Sequence, residues 1–324
     1  MYDREPSPAS YSAVLMGSLI VLKLAEHNAT LAQSVFRLIS QLEQVFTVNR
    51  AQSEVMAINH AAGQHPVVVS AQVFNLIALA KRVSLLPASA FNLAIGPLVK
   101  RWKIGFQGDS VPPADEIAAL LLLTDPHQVI LDVDAQTVFL SQPGMEIDLG
   151  AIAKGYIADR VCDYLRLQQV SQALINLGGN VHTLGSATNE TGWAIGVKAP
   201  FAAAEALIGF LTVRDQSVVT SGIYERYFLQ DNHCYHHILD PNTGYPLDNE
   251  LLSVTVVSDR SIDGDIYTTL LYGMGITQGC KFLADKPGIS ALFVTRDRQV
   301  ILSDADQLHF TLLDNRYQLA SPTP

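Results

Sequence analysis

Cysteine is scarce in this chain. Three residues in 324, Cys162, Cys234 and Cys280, are too few and too scattered to staple a fold. No CxxC spacing offers a zinc site, so they read as reduced thiols of a cytoplasmic protein. No run of lysine or arginine offsets the formal charge of −10, which argues against nucleic acid as a partner. An acidic protein still binds phosphate where a metal and a few local cations line the pocket. No segment reaches the roughly 18 apolar residues of a membrane span. The apolar stretch Tyr11 to Ala25 is interrupted by Lys23, preceded by Asp3, Arg4 and Glu5, and followed by no cysteine for lipid attachment. It reads as a buried strand rather than an export signal. A GxGxxG after a strand and a GxxxxGK[ST] are both missing, so the two commonest nucleotide-binding folds lack support.

What is present describes a globular protein: 48% hydrophobic and 16% charged residues. Residues 1–10 are polar and proline-bearing and read as a loose tail; residues 11–324 read as one domain. Met16 to Ala25 is a predicted strand. Leu31, Val35, Leu38, Ile39, Leu42 and Val45 recur at helical spacing, which predicts an amphipathic helix over about 29–46. Ser70 can cap a second helix, and Ala114 to Leu123 a short third. Gln128 to Leu140 predicts a hairpin turning near Asp132-Val133-Asp134. Ile152 to Leu167 predicts a helix, and Ala173 to Leu177 a strand stopped by Gly178-Gly179. Further strands are expected at Trp193–Val197, Gly209–Val213, Ser217–Thr220 and Ser253–Ser258. Ser261 or Asp263 can cap a helix running to about Leu283. Ala291–Thr295 and Gln299–Leu302 suit a closing hairpin. Strands and helices mix without βαβ alternation, so the class is α+β, with mixed, largely antiparallel sheets and flanking helices.

Four constellations carry chemistry. Asp265 and Thr269, four apart on a predicted helix, share one face. They offer hard oxygen ligands for magnesium, or simply serve the helix's first turn, and Asp263 competes with them. Asp148 to Gly155 sets glycines around Lys154 at a strand-to-helix corner, where a phosphate would sit well; an ordinary glycine turn is the alternative. His237 precedes the strong turn signal Asp240-Pro241-Asn242-Thr243-Gly244 and suits proton transfer, or plays a structural part. If it lies on a strand, His236 faces the other way, so only one of the two reaches a shared site. Asn59 ends Ser53-Glu54-Val55-Met56-Ala57-Ile58-Asn59, read as a strand end or turn whose amide could meet a base or flavin edge. The Phe91-to-Trp102 segment supplies aromatic surface, with core packing as its default use.

Together these segments resemble the ApbE family, the FAD:protein FMN transferases. The ordered motifs are S-x-V-x-x-I-N, F-N-x-x-I-G-P-L with its later Trp, D-L-G-A-I-A-K-G-Y, N-L-G-G-N, T-S-G-x-Y-E-R, H-I-L-D-P-N-T-G-Y-P, and D-x-x-x-T-x-x-x-x-x-G ending at Gly275. The resemblance implies an enzyme that binds FAD and Mg2+. It would join the FMN phosphate to a threonine or serine hydroxyl of a target flavoprotein and release AMP. It implies magnesium ligands at Asp265, Thr269 and a backbone carbonyl, most simply that of Ala151, with Ala153 as the other choice. His237 becomes the base, and Lys154 adds positive charge beside the magnesium. Asn59, Asp148, Lys154, Gly179, Thr220 and His237 would surround FAD. Met56 and Asn92 depart from the family's serine and aspartate. Without a lipobox, the expected acceptor is cytoplasmic, such as a flavin-dependent reductase. An FAD pyrophosphatase releasing FMN and AMP, or a non-catalytic FAD-binding protein, are the alternatives. An Asp265→Ala change is expected to abolish transfer and leave the fold largely intact.

Overall fold

The N-terminal apolar run folds back on itself. Met16 and Gly17 take positive φ, 53° and 67°, the geometry of a two-residue hairpin turn. The strands Ala9–Leu15 and Ser18–Leu24 pair antiparallel across it. The second is the expected strand. The first is additional and takes Ala9 and Ser10 out of the expected tail. The structure is a computed structural model and describes residues 8–48, 52–187, 192–203 and 205–321; residues 1–7 of the tail expected over 1–10 lie outside them.

These strands open a sheet that, among the described residues, has nine strands. Ser18–Leu24 is followed by Ala173–Leu177, Asn180–Leu184, Ser217–Gly222, Leu251–Ser258, Ile289–Thr295, Gln299–Leu302 and Gln318–Ala320. Neighbours are antiparallel except the last pair, which is parallel. One face of the sheet is covered by helices. Ile20, Leu22, Ile175 and Leu177 pack there with Val35 and Ile39 of the helix Ala29–Phe46 and with Ile157 and Val161 of the helix Ala153–Leu167. The other face packs Val181, Val218, Val257 and Leu292 against a three-stranded sheet of Trp193–Lys198, Leu207–Val213 and Phe310–Leu312. The class is α+β, as the strand and helix order predicts. Among the described residues no helix is long and apolar enough to cross a membrane.

Two local readings change. Ser53 to Asn59 is not a strand end: Glu54–His60 is a helix, and the Ser53 hydroxyl accepts from Met56 N at 2.9 Å as its N-cap. The helix Ser261–Leu283 is broken once, at Gly275, with φ 70° and ψ −176°. Glu250 fills the break, its Oε1 accepting from Ile276 N at 3.2 Å. Only glycine adopts that backbone readily. Gly275→Ala should therefore cost about 1–3 kcal/mol, read as a lower urea midpoint with an unchanged slope.

Candidate active site

Two helices meet end to side and cap each other. The helix Ala153–Leu167 starts without a side-chain cap of its own. Its Gly155 N–H instead donates to Asp265 Oδ2, 2.5 Å away, on the helix Ser261–Leu283. That second helix also lacks a local side-chain cap; Asp159, from the first, accepts from Ser261 N at 2.7 Å and Ile262 N at 3.3 Å. Neither Ser261 nor Asp263 plays the capping part expected of it, because a carboxylate from the neighbouring helix is already seated there. Gly155 permits this approach: a Cβ on it would lie 2.4 Å from Ser261 O. Its lack of a side chain serves helix packing, where the sequence suggested room for a ligand.

Asp265 is thereby sunk into the protein, 8% exposed, with Asn180 Nδ2 donating to its Oδ1 at 2.9 Å. Burial pushes its carboxyl up to about 7, against the pull of the Gly155 and Asn180 hydrogen bonds and of the Lys154 charge. Thr269 lies one turn on, its hydroxyl 3.4 Å from Asp265 O. Among the described residues no hydrogen bond ends on the Ala151 carbonyl, whereas Ala153 is the first residue of the helix and its carbonyl belongs to the helical ladder. A carboxylate, a hydroxyl and a free carbonyl are the kinds of donor that a hard cation such as magnesium takes. Among the described residues no three His, Cys, Asp or Glu side chains gather as a zinc-type set.

One cation, Lys154, acts directly on this acid. Burial holds the Lys154 ammonium below its usual range; Asp265 and Glu225 counter this, while Arg226 adds to it. Its Nζ is 3.5 Å from where a Cβ on Gly178 would stand, so Lys154 reaches the turn Gly178-Gly179. Gly178 and Gly179 have φ 65° and 99°, and a Cβ at Gly179 would meet nothing within 4 Å. The turn is open above Gly179, so its backbone is accessible to a ligand. Asp148 holds Gly150 N at 2.6 Å. Burial raises its carboxyl, and the charge of Arg226 opposes that rise. Arg226 itself lies over the Phe106 ring.

His237 completes the group. Its Nδ1 lies 3.2 Å from Arg226 O. The carbonyl can only accept, so Nδ1 carries the proton and Nε2 keeps its lone pair. Burial, then the charge of Arg226, push its pKa down to about 3, with His236 and Lys154 adding to the effect. The imidazole is neutral at pH 7. His236 is spent elsewhere, with Nε2 on Leu247 O at 2.8 Å and Nδ1 accepting from Ile238 N at 3.3 Å; the strand His233–His236 ends before His237, so the alternation expected of the pair does not apply. The loop after His237 is tied down by hydrogen bonds. Asp240 accepts from Asn242 N and its side chain, each at 2.9 Å, and Trp102 Nε1 donates to Gly244 O at 2.8 Å. Trp102 is 1% exposed and packs with Leu98, Ile117 and Leu239. The Phe91-to-Trp102 segment is thus core that anchors the histidine loop, not a flavin platform.

Two predicted site residues stand differently from expectation. Asn59 is buried and uses its amide on the backbone of one residue: Nδ2 donates to Ile147 O at 3.0 Å, and Oδ1 accepts from Ile147 N at 2.8 Å. It fixes the backbone that carries Asp148. Thr220 pairs its hydroxyl with that of Thr255, 2.8 Å away. Val219 and Ser221, its neighbours on the strand, touch the Asp265 helix at Gly264 and Thr268. Strand alternation therefore turns the Thr220 side chain to the opposite face. Arg226, Asn180 and Asp159 are additional. The first two end motifs already quoted, T-S-G-x-Y-E-R and N-L-G-G-N; Asp159 carried no signal beyond being a charge in a helix.

A family model described as the ApbE family matches residues 16–293. A FAD:protein FMN transferase of Klebsiella pneumoniae (strain 342) is 63% identical over 97% of this chain and 98% of its own. One from Treponema pallidum (strain Nichols) is 38% identical over 91% of this chain and 85% of its own. The crystal structure of the ApbE protein of Thermotoga maritima aligns with a TM-score of 0.78 at 29% identity, covering 95% of this chain and 97% of that one. The flavin transferase ApbE from Vibrio cholerae gives 0.78 at 26% identity, over 95% and 98%. Motif order, sequence identity and fold agree along nearly the whole length, and this chain belongs to the ApbE family.

Proposed function

We propose that this protein moves the FMN half of FAD onto a threonine or serine hydroxyl of an acceptor flavoprotein and releases AMP, with magnesium required. The observation that carries the reading is the meeting of a buried carboxylate, two cations and a neutral histidine at one corner of the fold. Asp265, Thr269 and the Ala151 carbonyl would hold the magnesium. When bound, that ion neutralises pyrophosphate charge and polarises the phosphoryl oxygens.

The chain's own residues do the rest. Lys154 and Arg226 hold anionic phosphate in a partly desolvated place, where each charge acts more strongly than in water. The Gly178-Gly179 turn and the segment held by Asn59 let the phosphates approach the backbone. The acceptor hydroxyl oxygen attacks the flavin-side phosphorus. The bond from that phosphorus to the bridging oxygen breaks, and the oxygen leaves on AMP. The hydroxyl proton passes to His237 Nε2, which the Nδ1–Arg226 contact leaves as the acceptor. Thr220 contributes through its strand rather than its side chain. Residues 11–324 act as one unit in this reading, and the three free thiols support a cytoplasmic place for the protein and its acceptor.

Nucleotide products test the reading. With FAD and magnesium, AMP should form only when an acceptor domain is present. Free FMN and AMP in its absence would make the protein a pyrophosphatase, and undegraded FAD under every condition a carrier.

A neutral, half-buried histidine also has a stability signature. Between its unfolded value of 6.5 and its folded value of about 3, His237 binds a proton only in the unfolded state. Stability is therefore lost as pH falls through that window. His237→Gln should lose less stability than the parent between pH 7.5 and 5, a difference of order 1 kcal/mol, measured by urea denaturation at both pH values. Equal losses would contradict an imidazole held neutral in the fold.

A further inference from the structure

We propose that Asn180, locked by Ser261, is the positioning residue that fixes the Asp265 carboxylate and so sets the affinity of the site for its divalent cation. The inference rests on the reading of Asp265 as a cation ligand.

Asn180 is 3% exposed and Ser261 0%. Both side chains are spent on protein partners, Ser261 on Asn180 and Asn180 on Asp265. The Ser261 hydroxyl donates to Asn180 Oδ1 at 2.6 Å. That bond decides which way the amide faces, because a hydroxyl donor must meet the oxygen and not the NH2 group. Nδ2 is then turned to Asp265 Oδ1 at 2.9 Å. Gly155 N holds Oδ2 at 2.5 Å. Each carboxylate oxygen has one donor, and further lone pairs remain on both. Both donors are uncharged, so they aim the carboxylate without neutralising it. A lysine or arginine in the place of Asn180 would compete with a cation for the same charge.

The lock continues one step back. Ser261 N donates to Asp159 Oδ1 at 2.7 Å, and Asp159 is itself buried beside His182, whose Nδ1 lies 3.4 Å from that same oxygen. Asn180 begins the strand Asn180–Leu184 immediately after the Gly178-Gly179 turn that Lys154 reaches. The residue therefore ties the orientation of the acid to the backbone beneath the phosphate-facing turn. Hydrogen bonds of this kind orient metal ligands, and their loss typically costs about 10–100-fold in metal affinity.

The test uses the full chain and manganese(II) as a paramagnetic probe, with free ion counted by electron paramagnetic resonance. Asn180→Leu should weaken manganese binding about 10–100-fold. The magnesium needed for half-maximal transfer should rise by a like factor, while the rate at saturating magnesium changes far less. Ser261→Ala, which leaves Asn180 present but free to flip, should shift both in the same direction by a smaller factor. Unchanged manganese affinity in a folded Asn180→Leu protein overturns the proposal. If that variant does not fold, unchanged affinity in Ser261→Ala overturns it. Asp265→Ala separates the two levels. Lost binding there with retained binding in the Asn180 and Ser261 variants removes the positioning role alone. Retained binding in Asp265→Ala removes the ligand reading and this inference with it.

Discussion

Asp265→Ala should lose acceptor labelling by about 100–1,000-fold, the scale on which removal of a single transition-state electrostatic contact is felt, and should also lose stability. The second half departs from what the sequence suggests. On a bare helix face, Asp265 would be dispensable to the fold. In the structure its two oxygens satisfy Gly155 N and Asn180 Nδ2. Alanine leaves both donors buried without an acceptor, at about 1–3 kcal/mol each. One term opposes this: the carboxyl is pushed up to about 7 by burial, so removing it also removes an uncomfortable charge. The net loss should fall at the lower end, about 1–3 kcal/mol. Urea denaturation reads the stability, and intact mass of the acceptor reads the transfer. Normal transfer with magnesium present would remove Asp265 from the site.

Gly155→Ala should be the second large effect, and its sign is decided by packing. Alanine is the better helix former by about 1 kcal/mol, so local propensity favours the variant. The new Cβ, however, would lie 2.4 Å from Ser261 O and 2.6 Å from Ile262 Cα. Both are backbone, and no flexible side chain can yield. The two helix ends must separate, at about 1–3 kcal/mol. Separation also withdraws Asp265 from the Gly155 N–H, so transfer should fall together with stability. A variant as stable and active as the parent would show that the reciprocal caps are not needed.

Much of this was legible in the sequence. The long helices over Ala153–Leu167 and Ser261–Leu283 follow from apolar spacing, and the central strands from short buried runs closed by glycines. Asp265 and Thr269 do share a helix face, because four residues make about one turn. What was hidden depends on distant partners. Gly155 announces itself as a glycine, but its reason is a backbone 106 positions further along, at Ser261. Asp159 looks like any charge on a helix until Ser261 N and Ile262 N are seen to need it. Asn59 and Trp102 each suit a flavin by residue type, yet both are consumed by backbone atoms of other segments. Thr220 fails by phase: alternation says that neighbours face opposite ways, but not which of them faces the site. The short helix Glu54–His60 was signalled by Ser53 followed by Glu54, a capping pattern too brief to carry a helical period.

The central claim is transfer of FMN to a protein hydroxyl at the corner formed by Asp265, Lys154, Arg226 and His237. Intact mass spectrometry tests it most directly, with the purified protein, FAD, magnesium and a candidate acceptor domain carrying exposed threonines. The expected result is a mass gain on the acceptor equal to one esterified FMN, absent when EDTA is added and absent with Asp265→Ala. AMP and free FMN accumulating beside an unlabelled acceptor would contradict it.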